Sequence, residues 1–115
     1  MKKTARLAGK KDFKTVFTDG RAWANNFVVI KTLPNNVGVS RFGFVAGKRL
    51  GSAVVRNRIK RRLREAVRGL AIKEGWDVIV VARQPSVEAD YHTIKKATQD
   101  LFVRARLMGE GGNTE

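Results

Sequence analysis

The chain has no cysteine, which excludes disulfides as supports and thiolates as metal ligands or nucleophiles. It has one histidine, His92, so no histidine pair is available for general acid–base work or for a metal. No apolar run approaches the roughly 18 residues of a membrane span. Acidic residues are scarce where basic ones are dense. Residues 1–68 hold 18 of the 24 Lys and Arg, against only Asp12, Asp19 and Glu65. Those three carboxylates are scattered among cations, so they do not form the cluster that a metal-dependent protein nuclease requires.

What is present is one strongly basic, foldable unit. A length of 115 residues suits a single compact domain, and 43% hydrophobic content is enough for a core. The net charge of +14 is therefore not a sign of global disorder. Its confinement to residues 1–68 points to a polyanionic partner. The expected layout is a loose basic arm over 1–9, one domain over 10–108 and a flexible tail over 109–115. The start, MKKTARLAGKKDF, is basic without an apolar stretch, so it does not read as a secretory signal and the expected compartment is the cytoplasm.

Along the chain, KKDFKTVFT (10–18) has helical spacing, with Phe13, Val16 and Phe17 on one side. WANNFVVIKTL (23–33) and VSRFGFVA (39–46) read as strands joined by the PNNVG turn, and a hairpin is expected. Residues 21–25 are a candidate for a further short strand. WDVIVVAR (76–83) is a third main strand whose apolar centre predicts burial on both faces. A helix is expected from Ser52 to about Lys73 and another from about Ala89 to Met108, the latter with Tyr91, Ile94, Leu101, Ala105 and Met108 on one stripe. The order α-β-β(-β)-α-β-α predicts an α+β domain with helices packed on a small sheet.

The stretch VVRNRIKRRLREAVR (54–68) carries seven Lys or Arg and one acid, Glu65. At about 100° per residue, Val55, Ile59, Leu63, Ala66 and Leu70 form one apolar stripe. Asn57, Arg61, Arg64 and Arg68 fall opposite it, and Arg56, Arg58, Lys60 and Arg62 fill the flanks. Such a helix is docked, not disordered. Like charges one turn apart cost a few tenths of a kcal/mol per pair, and a merely solvated face usually mixes signs. Arginine outnumbers lysine six to one here, which suits bidentate phosphate contacts and stacking on bases. A membrane-surface helix would need its apolar stripe for lipid, whereas this stripe is needed for the core.

Phe13 and Phe17, one helical turn apart among Lys10, Lys11 and Lys14, suit either sheet packing or stacking under a single nucleic-acid strand. GFVAGKR (43–49) lacks the spacing and the Ser or Thr of a phosphate loop, but leaves Lys48 and Arg49 as a basic pair at a strand end. These features describe a nucleic-acid binder without an active site of its own. They leave open a ribosomal or RNA-chaperone protein, and less readily a DNA-binding module, since charge surrounds the helix where base-reading residues would sit.

The run GKRLGSAVVRNRIKRRLREA (47–66), with Arg56-Asn57-Arg58 at its core, closely resembles the motif of the bacterial ribonuclease P protein subunit. RL…DFKTVF (6–17), the expected hairpin, VIVVAR (78–83) and the last helix match that family in order and spacing. The resemblance implies an α–β sandwich like one domain of a ribosomal protein and one of an elongation factor, with a left-handed βαβ crossover through the basic helix. It implies a catalytic RNA subunit as partner, magnesium ions held mainly by that RNA, and a monomeric protein in a 1:1 complex with it. The activity implied is removal of the 5′ leader from precursor tRNA, with no catalytic residue on the protein. By the same resemblance, Arg56, Asn57, Arg58, Lys60, Arg61, Arg62, Arg64 and Arg68 contact the RNA subunit. Phe13, Phe17, Lys48 and Arg49 bind the leader, in a cleft between the first helix and the sheet. Family members often place an aromatic about where this chain has Ile30, a departure that leaves a strand-side contact from Ile30 or Phe27 open.

Overall fold

The computed structural model describes residues 5–109. The run Val78–Val80 is fully buried and occupies the middle of a five-stranded sheet. The elements, in chain order, are β1 (Ala5–Arg6), α1 (Lys10–Asp19), β2 (Arg21–Ala24), β3 (Val28–Pro34), β4 (Arg41–Val45), α2 (Ala53–Arg68), β5 (Trp76–Ala82) and α3 (Tyr91–Arg104). Short 3-10 turns at Lys48–Leu50 and Gln84–Val87 follow β4 and β5. The sheet order is β1-β4-β5-β3-β2. β1, β4 and β5 run parallel, while β3 is antiparallel to both β5 and β2.

The hairpin expected between 23–33 and 39–46 does not form. β5 lies between β3 and β4, so the PNNVG segment arches over it. The reason is physical: a strand apolar on both faces is stable only at the centre of a sheet covered on both sides. Asp77 on β5 fixes the arch. It accepts hydrogen bonds from Arg41 Nε and Nη2 at 2.8 and 2.7 Å and from Asn35 Nδ2 at 2.8 Å, which joins the two flanking strands to the central one. Burial pushes the Asp77 carboxyl up, but these hydrogen bonds and the Arg41 charge outweigh it and hold the group below the usual carboxylate range.

Side chains alternate across the sheet and define two cores. Val28, Ile30, Phe42, Val78 and Val80 face α2 and α3, meeting Ile59, Leu63, Ile94, Leu101 and Phe102. Ile79, Leu33, Val45 and Val81 face α1, which contributes Val16 and Phe13. The three layers are therefore α1, the sheet, and the α2–α3 pair.

Both long helices end earlier than their spacing predicts. α2 stops at Arg68 with Gly69 as its cap, and α3 stops at Arg104, after which Arg106 adopts a left-handed φ of 60°. The freed segments pair with each other: Lys73 N donates to Leu107 O, Gly109 N donates to Ala71 O, and Ile72 bridges Met108. Ile72, Leu107 and Met108 are buried there and close the end of the core. Of the basic arm expected over 1–9, residues 5–7 are held by the fold. Ala5–Arg6 pair with β4 and Leu7 is buried against Val16 and Ile79; residues 1–4 lie outside the described residues. Of the tail expected over 109–115, Gly109 is held by Ala71 and the remainder lies outside the described residues.

Candidate nucleic-acid interface

α2 begins where Ser52 accepts a hydrogen bond from Val55 N at 3.3 Å. Gly51 precedes it with a φ of 139°, a conformation suited to glycine. The apolar stripe docks as its period predicts. Ile59, Leu63 and Ala66 are fully buried, Val55 and Leu70 partly, and Val67 joins them. Asn57, Arg61, Arg64 and Arg68 are exposed on the opposite side.

The flanking cations are held in different ways. Arg56 Nε donates to Gly51 O, and Arg68 pairs with Glu65 at 3.0 Å. Arg62 Nη1 donates to Ala89 O at 3.0 Å, so it ties α2 to the approach of α3. Arg58 is half-buried, and its Nε has no hydrogen-bond partner among the described residues. The Arg64 guanidinium lies 5.4 Å from the centroid of the Phe44 ring, within cation–π range. Lys60 and Arg64 border a cavity of about 420 Å³ at the β4 edge, shared with Arg6, Phe13 and Phe44.

The second candidate site lies on the other face of the sheet. α1 crosses the row formed by Gly43, Ile79 and Lys31, which are register partners across β4, β5 and β3. Val16 is its one fully buried side chain. Asp12 reaches Arg41 at 3.7 Å, and Phe13 and Phe17, one turn apart, lie side by side along the helix. The two rings lie 6.0 Å apart. Phe13 packs so closely on Gly43 that a Cβ there would stand 2.5 Å from its ring. Phe17 keeps 40% of its surface exposed. The next row, Val45, Val81 and Val29, is only half-buried and forms a floor beside the rings.

Lys31 joins this cleft and was not among the residues expected there. Its Nζ donates to Phe17 O at 2.9 Å and lies 5.1 Å from the Phe17 ring centroid. The signal available was the alternation of β3, which puts Val29, Lys31 and Leu33 on the face opposite Val28, Ile30 and Thr32. By the same alternation Ile30 is fully buried toward α2 and α3, away from the cleft. Phe27 packs against that same core and borders a hollow with Thr93 and Lys96. Lys48 and Arg49 are both exposed in their 3-10 turn, which packs against α2 and the Gln84–Val87 turn beyond the β4 end. Among the described residues, no three His, Asp or Glu side chains are grouped so as to hold a metal ion.

The sequence pattern of the family described as Ribonuclease P matches residues 1–106. The chain belongs to the ribonuclease P protein family. It is 42% identical over 115 residues to the ribonuclease P protein component of Symbiobacterium thermophilum, covering 97% of this chain and 100% of that one. Its fold matches the RNase P protein of Staphylococcus aureus with a TM-score of 0.82 at 32% identity, covering 93% of this chain and 100% of that one. The RNase P protein of Thermotoga maritima matches with a TM-score of 0.79 at 30% identity, covering 86% and 96%. The resemblance carried by residues 47–66 thus extends to the whole fold, and in this family's architecture the basic helix is the connection between parallel strands β4 and β5.

Proposed function

We propose that this chain is the protein subunit of a ribonuclease P holoenzyme in the cytoplasm, binding a catalytic RNA through α2 and the 5′ leader of precursor tRNA through the α1 cleft. The observation that carries this reading is the placement of two unlike cationic surfaces on opposite faces of one sheet. Arg61, Arg64 and their neighbours on α2 suit phosphates of structured RNA. Phe13, Phe17 and Lys31 on the other side suit an unpaired strand, since aromatic faces stack bases with little sequence preference. Lys48 and Arg49 extend the basic border at the strand ends. A structural or chaperone protein that only binds RNA has no use for the second surface. The RNA carries the catalysis and most of the magnesium in this reading, and the protein contributes affinity and positioning, as a monomer in a 1:1 complex.

The test is binding of precursor and mature tRNA by the complex reconstituted with the catalytic RNA. Phe17→Ala is the variant of choice, because the exposed ring contributes little to the core. It should weaken precursor binding by about five- to tenfold, the lower end of one lost base stack, and leave mature tRNA unaffected. Equal losses for both RNAs would remove Phe17 from the leader site and favour the structural RNA-binder.

A further inference from the structure

We propose that Tyr91, with Arg61 and Arg62, forms a stacking site for an unpaired base of the structured RNA gripped by α2. The RNA contact surface would then continue from α2 onto the start of α3. This rests on the reading of α2 as an RNA-binding face.

Tyr91 sits on the apolar stripe of α3 by spacing, yet it is 37% exposed. The core does not require it, because Ile94, Leu101 and Phe102 are fully buried and supply the stripe. Its ring lines an open hollow of about 350 Å³ together with Arg61, Arg62 and Glu65. The backbone that presents the ring is held at two adjacent points. Arg62 Nη1 donates to Ala89 O at 3.0 Å, and the Asp90 carboxylate caps α3 by accepting from Thr93 N at 2.8 Å. A base that stacked there would thus meet a pre-positioned surface and lose little affinity to ordering the protein.

The electrostatics of the hollow favour an anionic, aromatic ligand. Its one carboxylate, Glu65, is paired with Arg68. The Arg61 side chain has no hydrogen bond or ion pair among the described residues, and it belongs both to this hollow and to the outer face of α2. Anything seated on Tyr91 therefore also meets the phosphate-binding arginines. RNA satisfies both at once: a phosphate for Arg61 and a base, splayed from a loop or bulge, for the ring. A protein partner on the same hollow would compete with the RNA for Arg61, and the continuity of the surface argues against it.

Replacing Tyr91 by the photo-crosslinker p-azidophenylalanine tests the proposal in the complex reconstituted with the catalytic RNA. The expected product is a crosslink to an unpaired nucleotide of that RNA. A crosslink only to the precursor tRNA, or to no RNA at all, overturns it. In parallel, Tyr91→Ala should weaken binding of the catalytic RNA by about tenfold without changing the salt dependence, as loss of a neutral stack requires. Tyr91→Phe should retain wild-type affinity, whereas a loss equal to that of Tyr91→Ala would assign the effect to the hydroxyl and overturn stacking. Should Tyr91→Ala fail to fold, as judged by thermal melting, the crosslink and the Phe variant still decide. Wild-type protein that fails to bind the RNA would refute the reading of α2 itself. Tight wild-type binding with unchanged Tyr91→Ala affinity would refute this proposal alone.

Discussion

Asp77 shows how one residue joins fold and site. Its carboxylate holds Arg41 and Asn35, and Arg41 in turn reaches Asp12 on α1. The chain of contacts therefore runs from the central strand to the helix that bears Phe13 and Phe17. Asp77→Asn leaves Arg41 without its buried partner and should destabilise the protein by about 3 kcal/mol at neutral pH. The pH dependence follows from the depressed carboxyl pKa. A carboxylate whose folded pKa lies below its unfolded value stabilises the fold fully above the unfolded value, and loses that contribution as pH falls through the folded value. Thermal melts of wild type and Asp77→Asn from pH 7 downward should thus converge below the ordinary carboxylate range. A gap that stays constant to the acid limit would contradict the assignment. None of this was legible in the sequence, because Asp77 and Arg41 are 36 residues apart and lie on strands whose adjacency the spacing does not reveal. Lys31 escaped notice for a related reason. A single lysine in an apolar strand reads as solvent-facing, and only the crossing of α1 reveals its contact with Phe17.

At the scale of the element, α2 was the most legible part of the molecule. Its stripe repeats at a local period, so Ile59, Leu63 and Ala66 on one side and Arg61, Arg64 and Arg68 on the other follow from spacing alone. Its end did not follow, because Leu70–Lys73 leave the helix for partners more than thirty residues away, beyond any local window. The seven cations assigned by resemblance also divide by environment in a way that sequence does not show. Arg62 is committed to Ala89 and Arg58 is half-buried, whereas Arg61 and Arg64 face outward. The outward pair should carry phosphate contacts. Arg61→Ala combined with Arg64→Ala should weaken binding of the catalytic RNA and reduce the slope of log affinity against log salt by about 1.5 to 2. An unchanged slope in a salt titration would mean that neither side chain touches phosphate.

At the scale of the whole molecule, the sheet is a partition. α1 and its cleft lie on one face and α2 on the other, within a body of 36 × 36 × 24 Å, and the two sides meet at the edge cavity that Phe13 shares with Lys60 and Arg64. The α+β class and the order of the main elements were legible, because each element has its own period and its own breaks. The sheet order was not, because alternation tells which face a side chain takes and not which strand lies beside it. The apolar centre of β5 carried the one usable hint, since burial on both faces demands the middle position that breaks the expected hairpin. The charge excess over residues 1–68 is likewise a property of the whole. It supplies both basic surfaces from the same three-fifths of the chain and leaves α3 comparatively neutral.

The most direct measurement is cleavage of a 5′-labelled precursor tRNA at low magnesium by the catalytic RNA alone, the protein alone, and the two together. The subunit assignment predicts release of the leader only when both are present. Cleavage by the protein alone, or tight RNA binding without any stimulation of the catalytic RNA, would contradict it.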